Sequence, residues 1–125
     1  MRATLGKNQR LKSLKLIREI LSDRRSVASF PLRMFWRETE KEKNTTAAFF
    51  VPKKHYRHAV DRNRIKRLMR EVYRISREKN LENCERRFAF IFLWTGREVP
   101  NFAEVKARME KVFVRWHEKL NEKSE

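Results

Sequence analysis

The stretch AVDRNRIKRLMREVYRISREK, Ala59 to Lys79, places Arg62, Arg64, Lys66, Arg67, Arg70, Arg74 and Arg77 within a few turns of chain. Cationic side chains at this density break no bonds unaided. They hold anions: arginine offers a planar fork of N–H donors that matches a phosphate, lysine a compact point charge. Laid on a helical wheel with Arg62 at zero, Arg62, Lys66, Arg77, Arg70, Arg74 and Arg67 fall between roughly 0° and 140°, with Asn63 among them. Ile65, Leu68, Met69, Val72 and Ile75 fall between roughly 220° and 340°. One flank is expected to anchor the helix to a core and the other to meet a polyanion. The bland alternative is a solvated helix face, but such faces mix signs. Glu71 and Glu78 lie only at the margin, where they can pair with Arg67 and Arg74 four residues away.

No other constellation carries comparable chemistry. His55 and His58 are three apart, with no third ligand evident, a poor metal site. Gly6 and Gly96 are the only glycines, so no glycine-rich phosphate loop exists. No serine or cysteine nucleophile with a nearby base can be picked out. The carboxylates are scattered, whereas a stand-alone metal nuclease needs them clustered. Asp61 is expected near the start of the basic helix as a cap or a favourable partner of its dipole.

The elements that must carry this helix can be read from periodicity. Residues 8–22 read as a helix with Leu11, Leu14, Ile17 and Leu21 as its apolar stripe. SVAS and LRMFWRE read as strands broken at Pro31; Leu32, Met34 and Trp36 alternate with Arg33, Phe35 and Arg37. AAFFVPKK is the next strand, ending near Pro52 because proline lacks an N–H. The basic helix then runs from about His58 to Lys79. RRFAFIFLW is apolar on both faces, which predicts a central strand covered on both sides. A last helix spans Phe102 to about Leu120, with Asn101 as cap and Glu104 at its third position. Its stripe is Phe102, Val105, Met109, Val112, Phe113, Trp116 and Leu120; Trp94, Phe113 and Trp116 are expected in the core.

The chain has 125 residues, a single-domain length, with frayed ends expected at residues 1–7 and 121–125. Lys and Arg total 32 against 16 Asp and Glu, a formal charge of +16. The excess is local: residues 51–80 carry a net +8 and residues 1–25 a net +6, while residues 81–125 are nearly balanced. A self-repelling patch of this kind points to nucleic acid, or less directly to an anionic membrane surface. No apolar run reaches the roughly 20 residues that span a bilayer, and the N-terminus lacks a signal-peptide core. Cys84 is the only cysteine, which excludes an internal disulfide and suits the cytoplasm.

VPKKHYRHAVDRNRIKRLMREVYR resembles the signature of the bacterial ribonuclease P protein subunit. The specific part is Arg62-Asn63-Arg64 followed by Lys66, Arg67 and Arg70, with Lys53-Lys54 and Ala59-Val60 before it. RLKSLKLIREIL and SVAS resemble the family's first helix and strand. The resemblance implies an α+β fold, an α/β sandwich of order α-β-β-β-α-β-α like that of some ribosomal proteins, with a left-handed β-α-β crossover around the basic helix. It also implies a role as the protein component of a ribonucleoprotein endoribonuclease that removes the 5′ leader of precursor tRNA. In such an enzyme the RNA with its Mg²⁺ is the catalyst; the protein alone is not expected to cleave and holds no metal. Carried over, Lys53, Lys54, Arg62, Asn63, Arg64, Lys66, Arg67, Arg70 and Arg74 would contact the catalytic RNA. Ile17, Leu21, Phe35, Arg10 and Lys12 would line a cleft for the single-stranded leader. The family usually has an aromatic pair where this chain has Ile17 and Leu21; plain core packing is the equal alternative for those two. Phe35 could still stack on a base. The competing functions are a general RNA-binding or ribosomal protein, and a DNA binder using the helix in a major groove. No leucine heptads follow the helix, so DNA is not expected as partner, nor is a membrane.

Overall fold

The computed structural model describes residues 10–40, 44–81 and 85–123. The elements run α1 (Leu14–Asp23), β1 (Ser26–Ser29), β2 (Leu32–Glu38), β3 (Thr46–Phe50), α2 (Ala59–Leu81), β4 (Phe88–Trp94) and α3 (Phe102–Lys123). The expected α-β-β-β-α-β-α order is therefore observed. One four-stranded sheet has the order β1-β2-β4-β3. β1 with β2 and β2 with β4 are antiparallel, whereas β3 lies parallel to β4 and is joined to it through α2.

β4 is central, and six of its seven residues are buried, as its two-sided apolar pattern demands. Its Phe88, Phe90, Phe92 and Trp94 join Met34, Trp36 and Phe49 on the side covered by α2 and α3. Tyr73 of α2 and Phe113 and Trp116 of α3 complete an aromatic core; the Trp116 ring meets Phe88 at 4.9 Å and Phe90 at 5.2 Å, edge to face. Such geometry adds roughly 0.5–1.5 kcal/mol per pair beyond the area buried. Trp94, Phe113 and Trp116 are each 1% exposed, the core positions expected of them.

Among the described residues the opposite face is covered by α1 and Leu11, with Ile20, Leu16 and Ile17 over Ala48, Ala89, Ile91 and Phe35. This corrects the expected helix in two ways. It begins at Leu14, capped by the Ser13 hydroxyl, which accepts from the Leu16 N–H. Leu11 belongs to an extended segment: its N–H donates to the Ala47 carbonyl at 2.9 Å, and Arg10 bridges to Ala47 along β3. The apolar stripe is also rotated. Ile20 is fully buried while Leu14 is 69% and Leu21 41% exposed. The cause is Arg37 on β2, whose guanidinium binds Asp23 and Glu19 (both at 2.8 Å) and so fixes which side of α1 meets the sheet.

α3 starts as expected, with the Asn101 side chain accepting from the Glu104 N–H at 2.9 Å. It continues through Asn121–Lys123, residues expected to fray, and the expectations for residues 1–7, Cys84, Ser124 and Glu125 lie outside the described residues.

Candidate nucleic-acid interface

α2 positions the basic side chains, and its rotation is set by what it buries. Ile65, Met69, Val72, Tyr73 and Ser76 face inward, while Ile75, expected there, is 43% exposed and Leu68 only partly buried. Relative to the sequence expectation the buried arc is turned toward Tyr73. That ring packs on Phe92 at 5.3 Å and Phe49 at 5.7 Å, outweighing the aliphatic Ile75. The turn brings Lys66, Arg70, Arg74 and Arg77 to the edge of the core, where each is half-buried, leaving Asn63, Arg64 and Arg67 exposed. Asp61 sits in the first turn, where its charge suits the helix dipole, and does not occupy the cap position.

Among the described residues no ion pair engages the arginines or Lys66 of α2, and the expected Arg67–Glu71 and Arg74–Glu78 pairs do not close. Arg62 is the one with a firm internal partner: its Nη1 donates to the carbonyls of Tyr56 (2.7 Å) and Arg57 (3.1 Å). It thereby ties the turn after Lys53 and Lys54 to the start of the helix. Both lysines are exposed, and Lys54 lines a shallow depression with His55 and Arg97. His55 is fixed there through its Nδ1, 2.7 Å from the Thr95 carbonyl.

The N-terminal segment adds a further cation, Arg10, because residues 10 and 11 run beside β3 at Ala47. Burial, then the charges of Arg10 and Arg67, push the Arg70 pKa down from its ordinary value. Arg10, Arg67 and Arg70 therefore feel one another's charge, and no carboxylate is paired to any of them among the described residues. Like charges held together in this way favour binding of an anion that spreads between them.

The candidate leader cleft is the α1 side of the sheet. Phe35 and Ile17 are partly buried there against one cluster, whereas Leu21, one turn after Ile17 on α1, is 41% exposed. Lys12 is exposed just before the Ser13 cap. Sequence reasoning missed Arg33 and Phe50, which flank Leu93 on this same face; the signal was the period-2 alternation of β2 and β3, usable only once their register with β4 is known. Among the described residues no three His, Cys, Asp or Glu side chains are grouped to hold a metal ion. The surroundings are cationic, so the residues present do not fit a resident Mg²⁺. Nor is any helix among the described residues long and apolar enough to cross a membrane.

Comparison with known proteins places the sequence and the fold in one family. The sequence model of the Ribonuclease P family matches residues 5–117. The ribonuclease P protein component of Porphyromonas gingivalis is 31% identical over 116 residues, covering 89% of this chain and 85% of that protein. That of Chlorobium phaeobacteroides is 34% identical over 87 residues, covering 66% and 60%. The fold matches the RNase P protein of Thermotoga maritima with a TM-score of 0.68 at 19% identity, covering 86% of this chain and 96% of that one. It matches the Staphylococcus aureus RNase P protein with a TM-score of 0.67 at 20% identity, over 82% and 90%. With the family match spanning most of its length, the chain belongs to the ribonuclease P protein family.

Proposed function

We propose that this protein is the RNA-binding subunit of ribonuclease P, acting in the cytoplasm to support removal of the 5′ leader from precursor tRNA. The observation that carries this reading is the α2 face, whose arginines and Lys66 form no ion pair with a carboxylate among the described residues. The division of labour follows from the side chains. Lys53, Lys54, Asn63, Arg64, Lys66, Arg67, Arg70 and Arg74 supply N–H donors and positive charge to the phosphates of the catalytic RNA. Arg62 acts mainly by positioning, since its fork already holds two backbone carbonyls. Phe35, with Ile17 beside it, supplies an apolar floor for the single-stranded leader, with Lys12 at the margin. Among the described residues no carboxylates cluster to hold a metal ion, and Mg²⁺ is assigned to the RNA and the substrate phosphates. The protein's contribution is attraction and alignment, which lowers the divalent ion concentration the RNA needs.

The test is reconstitution. The protein is added to its cognate ribonuclease P RNA at low Mg²⁺, and 5′ processing of a precursor tRNA is measured. Stimulation by the protein, with no cleavage by the protein alone, is the expected result. A protein that binds RNA broadly yet never stimulates processing would instead be a general RNA-binding protein.

A further inference from the structure

α1 roofs only part of its sheet face. Strand register defines two successive rows across that face. Phe35, Ile91 and Ala48 form one, and Arg33, Leu93 and Phe50 the next, about 7 Å further along the strands. The first row lies under Ile17 and Ile20, with Ile91 and Ala48 buried. The second does not join that cluster. Phe50 is 39% exposed, Leu93 is half-buried and Arg33 is exposed. Phe50 shares none of the ring contacts that fill the other face, although it follows Phe49, which stacks on Phe92 at 5.4 Å. Arg33 is steadied by one bond, Nη1 to the Ser26 hydroxyl at 2.7 Å, so its remaining N–H groups are directed by a fixed fork. The chain leaves Phe50 through Val51 and Pro52 directly into Lys53 and Lys54.

An aromatic face, an aliphatic floor and a guanidinium in one open row, with no carboxylate in it, have the chemistry of a single-stranded polynucleotide site. The ring takes a base without regard to its identity, and the cation takes the neighbouring phosphate. A protein segment would call for mixed charges here. We propose that Arg33, Leu93 and Phe50 form a nucleotide-stacking subsite for the leader, with Phe50 as the platform. It extends the cleft floor from Phe35 toward Lys53 and Lys54. This rests on the leader-cleft reading above. It assigns the principal base contact to the sheet and not to α1, whose Ile17 and Leu21 are aliphatic and offer no ring to stack on.

The experiment uses the holoenzyme reconstituted with its cognate RNA. Affinity is measured for precursor tRNAs with a full leader and with a one-nucleotide leader, and 2-aminopurine is placed at successive leader positions to report stacking. Expected are tighter binding of the full leader and quenching of the probe at one position. Phe50→Ala should remove that quenching and weaken full-leader binding roughly 5- to 100-fold, sparing the short-leader substrate; Phe50→Trp should retain both. Arg33→Gln, which leaves the ring in place, should weaken only the full-leader complex and flatten its salt dependence. If Phe50→Ala keeps both the quenching and the leader preference, the subsite is overturned while the cleft stands. Equal weakening of both substrates would assign Phe50 to assembly with the catalytic RNA and also overturn it. If the wild-type enzyme ignores leader length, the cleft reading itself fails.

Discussion

The two faces of the sheet are built from one set of strands and treated in opposite ways. Beneath α2 and α3, rings from β2, β3, β4 and both helices interlock until Phe88, Phe90 and Phe92 reach zero exposure. Beneath α1, a ten-residue helix covers small and aliphatic side chains and leaves a row open at its end. Both faces are apolar enough to be buried. What differs is how much chain is spent on covering them. The closed face holds the fold together firmly enough that the other can remain partly uncovered and available for binding.

The sharpest way to break this contrast is to damage the closed face. Trp116→Ala removes a ring contacting Trp36, Phe88, Phe90 and Phe113; it should cost about 3–5 kcal/mol in a urea titration. Phe35→Ala on the half-open face should cost the fold less than that. Its main effect should be the loss of about 1–3 kcal/mol of leader binding, read from full- against short-leader affinities. Arg70→Met tests the cationic margin between the faces. It should weaken binding to the catalytic RNA and reduce the slope of log K against log salt by at most ~0.9. Because burial and neighbouring charges disfavour the Arg70 cation, the same change should raise the melting temperature of the free protein. Tyr73→Phe should stabilise by about 1 kcal/mol, since the buried Tyr73 hydroxyl has no hydrogen-bond partner among the described residues. The smallest effect concerns pH. Burial lowers the His117 pKa, so the folded state disfavours its charged form. Stability should be full above the ordinary value near 6.5 and decline as pH falls through the lower folded value. His117→Gln should remove that part of the slope in melts between pH 7 and 5.

Legibility in the sequence followed how local each determinant was. β2 and β4 announce themselves by alternation and by a two-sided apolar run, and α3 carries its own cap in Asn101. The start of α1 was misread because Leu11 fits a helical stripe; only the distant Ala47 carbonyl pins it as extended chain. The rotation of α1 depends on Arg37, fourteen residues beyond Asp23, and that of α2 on rings from β3 and β4. The basic face of α2 was visible because eight cations share one helix. The placement of Arg10 beside β3 was not, since it depends on the bridge from residue 10 to Ala47. Phe50 escaped for the same reason: which way it faces is decided by a parallel register with β4.

The outer margins of the sheet have a consequence for how the protein behaves before it meets RNA. Unpaired strand margins invite copies to stitch together into continuous ribbons. Here Arg115 of α3 donates to the Ala28 carbonyl on β1, and residues 10 and 11 lie along β3 until Pro52 ends its run. Each margin is therefore occupied or flanked by an arginine from the same chain. Margins charged in this way disfavour edge-to-edge pairing of copies, and they use the same kind of side chain that is proposed to hold RNA.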